Sequence, residues 1–597
     1  MQRSVSEDIL LNKKPIRQFP CKVVAFSSQY GSEDGSYSVR QLVGTGPSVY
    51  PRYGDFCEAC VLRYYGPWWS QAPSAAPPIG TRPGSLPAGY CSEDFVEVEY
   101  SQPVRLQRIR VYETFVPGCL VAVFARSLAP EGADAEADLW HRVWRRPGPS
   151  KEPHASRVFE PPTDSCWPPV PPNRLVNRLR LEFNCCLAAY YTEIDTVELI
   201  GTAGIDSGDQ EAAVQPLAEQ VASLSLVDAA GPAGDSADPA ASAGWFGRWP
   251  SELLSRLLGL LDLQSLLRLG QTCRLLNHFS ADPLLYRSLS LRPYCLRLKD
   301  DHLLSLAERL TACRQLELSW CSGVGPATFC QLVNCRLDDG ARVGRQLTAL
   351  RLASCGFLDD TCLTAIAESC PALNELDLSG CNSARTTVLG FSALATGLRR
   401  LRRLNLYRCG IGLEQLLALI RANPDLRHVN LGACPVMTDF ADGVVVELAA
   451  CCRGLLSLDL WRSRGLGCLG VTALADGCPG LLELDIGWCT RVNSSTGCLA
   501  ELAQKCRSLQ KLFLTANRTI RDVDVEQIAK HCRDLRQLDI LGSNQVSLEA
   551  VQFVLRSCPK LEMFDVSFCG QIKRASVECL KADYPHCSLQ MSFQNQQ

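Results

Sequence analysis

"LNELDLSGCN", Leu373 to Asn382, sets leucines three and then two residues apart and ends beside a cysteine, Cys381, whose role decides what kind of protein this is. Metal sites, disulfides and catalytic nucleophiles all use cysteine, and the chain carries 32 of them. The same spacing returns in "LTALRLASC", "LRRLNLYRC", "LRHVNLGAC" and "LLELDIGWC", which end at Cys355, Cys409, Cys434 and Cys489. Cys321 and Cys569 extend the series, while Ser463, Asn517 and Ser543 fill the slot in "LLSLDLWRS", "LQKLFLTAN" and "LRQLDILGS". The cysteine belongs to a period.

Most intervals are roughly 25 to 29 residues, the length of one leucine-rich repeat. Between slots lie helical patterns such as "TCLTAIAESCPAL" and "GVTALADGCPGL", so each unit reads strand, turn, helix. In such a solenoid the leucines point inward, and the slot residue faces a column of backbone groups that burial would leave without partners. Cys, Asn and Ser can each hydrogen-bond there, whereas a metal ligand or nucleophile could not be exchanged among them so freely. The slot cysteines are therefore expected to be structural thiols. Cys370, Cys478, Cys506, Cys532 and Cys558 close the helical segments and read as small core residues. "CEAC", Cys57 to Cys60, lacks two further ligands at zinc-site spacing, so neither metal nor cofactor is expected.

At 597 residues the chain exceeds one ordinary core and should divide into several modules. A net charge of -3 and a pI near 6.2 give no electrostatic footprint for nucleic acid or an anionic membrane. The richest apolar run, "LLSRLLGLLDL" from Leu253, is broken by Arg256 and Asp262, so no transmembrane segment is expected. The first twenty residues mix Lys13, Lys14 and Arg17 with Glu7 and Asp8 and lack the apolar core of a secretory signal, which points to a reducing compartment.

"GLGCLG", Gly465 to Gly470, fits a dinucleotide fingerprint, follows a strand pattern, precedes a helix and has Asp485 in the next strand. Every repeat here supplies strand, turn and helix, so the period already explains that context. His428 on a repeat strand and His531 near a helix end sit in no catalytic motif, and no catalytic residue is expected.

Ahead of the repeats runs "WPSELLSRLLGLLDLQSLLRLGQTCRLLNHFSADPLLYRSLSL", Trp249 to Leu291. Pro250 suits a helix start, and Leu253, Leu254, Leu257, Leu258 and Leu261 recur with helical period. Asp262 can cap a second helix carrying Leu266, Leu269, Cys273 and Leu276, and Asp282 with Pro283 marks a third start. The leucine density exceeds what one internal face needs, so a partner should cover the excess.

The segment resembles an F-box, with Pro250, Glu252, Leu253, Leu254, Leu257, Leu261, Leu263, Leu266, Leu267, Arg268, Leu269, Cys273, Arg274, Asp282, Pro283 and Tyr286 matching its pattern and Trp249 standing where a leucine is usual. The resemblance implies docking on a Skp-family adaptor, which links to a cullin and its RING subunit. The adaptor-binding residues it implies are Pro250, Glu252, Leu253, Leu254, Leu257, Leu258, Leu261, Leu266, Leu269 and Cys273. A leucine-rich-repeat scaffold without a ubiquitin-ligase role is the alternative.

Residues 202–245 are rich in Ala, Gly, Ser and Asp without Lys or Arg, the composition of an acidic flexible linker. Before it, "DFVEVEYSQPVRLQRIRVYET" alternates, turns at Gln102 and Pro103 and alternates again, while "NRLRLEFNCC" and "DTVELIGT" continue the strand signal. A β-sandwich is expected over 21–201, after a tail at 1–20. The stretch Asp94 to Thr114 resembles a discoidin-like, galactose-binding-type domain, for which "YYGPWWSQAP", Tyr64 to Pro73, could supply an aromatic loop, although Trp68 and Trp69 suit a core.

The expected chain is multidomain: a discoidin-like β-sandwich, a linker, a short helical F-box at 246–293, and an α/β leucine-rich-repeat solenoid of cysteine-containing type at 294–597. This order resembles the F-box and leucine-rich-repeat family of substrate receptors of cullin-RING ubiquitin ligases across nearly the whole chain. It implies a non-catalytic receptor at the cytosolic face of the mitochondrial outer membrane, acting on receptors that trigger mitophagy. The basic and apolar leader that such a location calls for is not evident, and cytoplasm or nucleus is the alternative. On the concave strand face, the residue between paired leucines and the two after them should meet the target. That row contains Asp377, Asp459, Asp485, Asp539 and Asp565, and the expected target site is Tyr407, Arg408, Asp459, Trp461, Arg462, Asp485 and Trp488.

Overall fold

The computed structural model describes residues 15–31, 36–63, 66–80, 92–128, 139–147, 155–162, 170, 174–188, 191–203, 249–335, 342–381 and 384–592. These fall into two compact units, one within 1–75, 86–214 and 592–597, the other within 76–85 and 215–591. Of the tail expected at 1–20, residues 1–14 lie outside the described residues, as do Tyr64, Tyr65 and 204–245 of the linker expected at 202–245; Ile16–Gln18 of that tail form a strand, and Thr202 and Ala203 end another.

The first unit is an antiparallel β structure of β1 (Ile16–Gln18), β2 (Lys22–Phe26), β3 (Cys60–Val61), β4 (Asp94–Phe115), β5 (Leu120–Ser127), β6 (Leu139–Arg145), β7 (Arg157–Phe159), β8 (Val176–Phe183) and β9 (Glu193–Ala203). Its main path runs β1-β9-β4-β8-β5-β6, with β2 and β7 on β4 and β3 on β9. The turn expected at Gln102 and Pro103 is absent, because β4 continues through it and changes partners. Asp94 to Glu99 pairs with β8, while Val104 to Phe115 pairs with β9. Gln18 stands in for the missing strand, accepting from the Gln102 N–H at 3.1 Å and donating to its carbonyl at 2.7 Å. Pro103, which has no N–H to offer a ladder, falls in this interruption. Alternate residues of the strands, Val96, Val98, Val111, Val123, Leu179, Leu181, Val197 and Leu199, are buried. Trp68 is also buried and Trp69 half-buried on the short helix Trp68–Gln71; Cys60 is buried in β3 and Cys57 half-buried.

In the second unit the helices Ser251–Gly259, Leu263–Gly270 and Arg274–Ser280 precede a parallel sheet of twelve strands in sequence order. These are β10 (Ser288–Ser290), β11 (Gln315–Glu317), β12 (Ala349–Arg351), β13 (Glu375–Asp377), β14 (Arg403–Asn405), β15 (His428–Asn430), β16 (Ser457–Asp459), β17 (Glu483–Asp485), β18 (Lys511–Phe513), β19 (Gln537–Asp539), β20 (Met563–Asp565) and β21 (Ser588–Gln590). The slot series runs from Cys321 to Cys569, and the sheet extends one strand beyond it at each end. β10 falls within 246–293, so the segment read as the helical module contributes the first strand.

Each strand buries its middle residue, such as Leu350, Leu376, Leu404 or Leu458, and pairs residue for residue with its neighbours. Two side-chain ladders tie the repeats together. In the slot, Cys355 Sγ donates to Leu318 O at 3.1 Å, Cys381 to Leu352 O at 3.0 Å, Cys409 to Leu378 O at 2.8 Å, Cys434 to Leu406 O at 2.9 Å and Cys489 to Leu460 O at 3.2 Å. Asn517 donates to Val492 O at 3.0 Å and Ser543 to Asn517 O at 3.2 Å, so the substitutes reach different carbonyls of the preceding repeat. At the helix C-termini a second ladder links Cys478 to Cys452 O, Cys506 to Cys478 O and Cys532 to Cys506 O at 3.5–3.6 Å. Those thiols are buried, but they are also donors.

Cys381→Asn should shift unfolding free energy by no more than about 1 kcal/mol, whereas Cys381→Leu should overpack the column and cost about 1 to 3 kcal/mol. Ser463 Oγ is buried without a hydrogen-bond partner among the described residues. Ser463→Cys, which carries a longer donor into that slot, should raise denaturant stability by up to about 1 kcal/mol.

Candidate functional site

Cys381 is a thiol, not a thiolate: burial pushes its pKa up to about 12. Cys434 is likewise pushed up to about 12 by burial, so both thiols are protonated at neutral pH and spend that proton on the carbonyl of the preceding repeat. The glycine-rich turn is also occupied. Asp442 Oδ1 accepts from the Gly467 N–H at 2.8 Å and the Gly470 N–H at 2.9 Å, placing a carboxylate where a phosphate would have to sit. The device recurs: Asp300 accepts from Gly325 N, Asp360 from Thr387 N and Asp522 from Ser547 N, each at 2.7 Å. An acid in the first turn of one helix thus caps the next helix.

In the helical module, Leu254, Leu258, Leu266 and Leu276 are buried and hold the three helices together. The opposite set is open: Leu253 is 46% exposed, Leu257 38%, Leu260 48% and Leu284 69%. Pro250 and Glu252 are exposed, whereas Leu261, Leu269 and Cys273 are half-buried. Asp262 caps the second helix by accepting from Ser265 N at 3.0 Å. That helix stops at Gly270, earlier than its sequence pattern suggests, and Cys273 becomes the N-cap of a third helix carrying Leu276. Gly270 passes so close to Ser280 that a Cβ would lie 2.3 Å from its hydroxyl oxygen. The third start expected at Asp282 is a one-turn 3-10 segment, Pro283–Tyr286, capped by Asp282 at 2.9 Å from Leu284 N. Leu260 and Leu284 are exposed as well, and their position, three residues from Leu257 on the helical period and beside the Asp-Pro turn, is the signal that locates them.

On the strand face, the structure brings Tyr407 and Trp461 together, with ring centroids 6.2 Å apart, and sets the Arg462 guanidinium 5.2 Å from the Trp461 ring centroid. Trp461 is only 2% exposed and Tyr407 is buried, while Arg408, Arg462 and Trp488 are half-buried. Arg408, Arg462 and Trp488 have φ of 58°, 61° and 60°, a left-handed turn position that recurs in the repeats. Each donates its N–H across to the next repeat, to Gly432 O at 2.9 Å, Gly487 O at 2.8 Å and Thr515 O at 2.7 Å. These bonds offset a conformation that costs a non-glycine residue on the order of 1 kcal/mol.

The aspartates have a local duty. Asp459 Oδ1 accepts from Trp461 N and Asp485 Oδ1 from Gly487 N, both at 3.0 Å. Asp377, Asp539 and Asp565 do the same two residues on at 2.8 Å, and Asn405 and Asn430 fill the position elsewhere. The acidic row therefore fixes the turns that present the aromatic and cationic side chains. His428 lies half-buried on the same face, and burial with Arg403 and Arg427 nearby lowers its pKa to about 4, leaving it neutral at physiological pH.

An F-box-like family model matches residues 246–292. Over 535 residues the chain is 37% identical to F-box/LRR-repeat protein 4 of Bos taurus, covering 86% of this chain and 81% of that protein. It is 26% identical over 274 residues to putative F-box/LRR-repeat protein 22 of Arabidopsis thaliana, covering 46% of this chain and 77% of that one. Among solved structures, the yeast Rad7 and Elc1 complex is similar at a TM-score of 0.35 and 17% identity, over 55% of this chain and 92% of that one. With the F-box ahead of the repeats and the likeness spanning most of both sequences, the chain belongs to the F-box/LRR-repeat protein family.

Proposed function

We propose that the protein is the substrate-recognition subunit of a Skp-cullin-F-box ubiquitin ligase, taking a Skp-family adaptor on its helical module and a target protein on the concave face of its solenoid. The observation that carries this reading is the division of leucines in the module. Leu254, Leu258, Leu266 and Leu276 already satisfy its interior, so Leu253, Leu257, Leu260 and Leu284 are left for a partner. Covering each contributes about 1.5 to 3 kcal/mol at full burial. Such a receptor performs no bond chemistry; it raises the concentration of a target beside the ubiquitin-loaded enzyme, and the cullin and RING subunit complete the assembly. The discoidin-like reading of the first unit, the mitochondrial outer-membrane location and the mitophagy receptors as targets belong to this proposal through family resemblance. Proximity labelling with and without proteasome inhibition tests the location and targets: labelled proteins that accumulate elsewhere in the cell would refute them.

Leu253→Asp combined with Leu257→Asp should leave the thermal transition in place and abolish co-purification with the adaptor and cullin. Undiminished capture would favour a scaffold without ligase activity.

Trp461 packs within the repeat face, so the more accessible Trp488 provides the cleaner test. Trp488→Ala should weaken target capture by about 1 kcal/mol or more, and adding Trp461→Ala by about 2 kcal/mol or more, with adaptor binding intact. Unchanged target turnover with a folded double variant would move the site to another surface.

A further inference from the structure

The concave face of the first three solenoid strands is already in contact with a piece of chain from far upstream. Ala76 to Gly80, reading Ala-Pro-Pro-Ile-Gly, belongs to the second compact unit although more than two hundred residues separate it from β10. Its backbone is read at both polarities. The Gly80 N–H donates to Ser288 Oγ at 2.8 Å, and the Pro77 carbonyl accepts from Arg351 Nη2 at 2.7 Å.

The receiving groups are oriented by neighbours. Ser288 spends its own proton on Gln315 Oε1 at 3.0 Å, which turns an oxygen lone pair toward Gly80. Arg351 is buried, and its Nε donates to Glu375 Oε1 at 2.5 Å, which leaves the outer edge of the guanidinium aimed at the Pro77 carbonyl. The segment's composition fits the same site. Gly80 has φ +66°, and a Cβ there would lie 2.6 Å from Ser290 N, so the close approach to β10 admits glycine alone. Pro77 and Pro78 carry no N–H that would need an acceptor above the sheet, and they favour an extended backbone. Ile79 is buried while the two prolines are exposed, so one apolar side chain anchors the segment.

We propose that β10 to β12 form a binding site for extended segments of the pattern Pro-Pro-apolar-Gly, and that the chain's own Ala76–Gly80 fills it. The strap closes this end of the concave face to partners that lack such a segment. It leaves the repeats from β13 onward for other ligands. A partner carrying the same pattern competes with the strap for Ser288 and Arg351. This inference is independent of the ligase reading, since neither the adaptor surface nor the Trp461 and Trp488 region takes part.

Two measurements on the full chain test it. Amide exchange at Gly80 should be at least about tenfold slower in the protein than in a free peptide of sequence SAAPPIG, residues 74–80, and Ser288→Ala should accelerate it. A fluorescent SAAPPIG peptide should bind Gly80→Val at least about tenfold more tightly than the parent protein, because that variant vacates the site, and adding Arg351→Ala should remove the gain. Exchange at the free-peptide rate in the parent protein overturns the proposal. So does peptide binding that Gly80→Val leaves unchanged. Should Gly80→Val fail to fold, Ser288→Ala keeps the question decidable: unchanged exchange at Gly80 in that variant also overturns it. Adaptor capture, measured in the same variants, reports on the ligase reading separately.

Discussion

A three-residue strand cannot stand alone, and the second unit is built from twelve of them. What holds them is reciprocal bonding between consecutive turns. The left-handed residue of one turn donates its N–H forward, as Ser354 does to Ser379 O and Arg462 to Gly487 O, while the slot side chain donates backward, as Cys381 does to Leu352 O. Each turn is therefore specified by both neighbours, and the conformational cost of its left-handed residue is met by a contact outside its own repeat. Stability in such an array depends on nearest neighbours, and the terminal strands β10 and β21 each lack one.

Cysteine suits this arrangement because it is small, apolar enough to be buried and still able to donate. Its thiol is weak, so leaving it imperfectly paired costs less than leaving a hydroxyl or amide unpaired. The same burial that makes it a good spacer raises its pKa and withdraws it from chemistry, as at Cys381. In the slots, frequent cysteine thus goes with buried thiols that act as hydrogen-bond donors. Acidic residues show a similar conversion: Asp442 fills the helix N-terminus that looked like a phosphate cradle, and Asp485, which looked like its ribose partner, closes a turn on Gly487.

The period of the leucines and slots was enough to read the solenoid, because burial of the middle strand residue forces the same spacing in each repeat. The F-box was legible for a related reason: its apolar positions exceed one helix face, and that excess is visible in sequence. Helix boundaries within it were less so, since "LRLGQTCRLL" keeps helical periodicity across a break that depends on the close approach of Gly270 to Ser280. The continuous β4 was misread because Gln102 and Pro103 are good turn residues locally, and only the distant Gln18 shows how the extended chain is satisfied there. The aromatic and cationic face could be located by alternation, but the burial of Trp461 and the capping by Asp459 depend on neighbours that spacing does not reveal. The contact of Gly80 with Ser288 joins residues too far apart for any local pattern to predict.

These constraints divide each repeat into positions the fold owns and positions it leaves open. The middle strand residue is committed to the core, the third strand residue often to its turn, and the slot to the repeat before. The first strand residue carries none of these duties, and it varies from Glu375 through Arg403, His428 and Ser457 to Glu483 and Lys511. The residue after the last inward leucine commits its backbone to the turns but varies in side chain, running Ser379, Tyr407, Gly432, Trp461, Gly487 and Thr515. In that row both large rings stand beside Gly432, and Trp461 is flanked by glycine on each side, which gives its indole room to lie along the face. In that row each large ring therefore stands between small residues of the adjoining repeats, Tyr407 between Ser379 and Gly432 and Trp461 between Gly432 and Gly487.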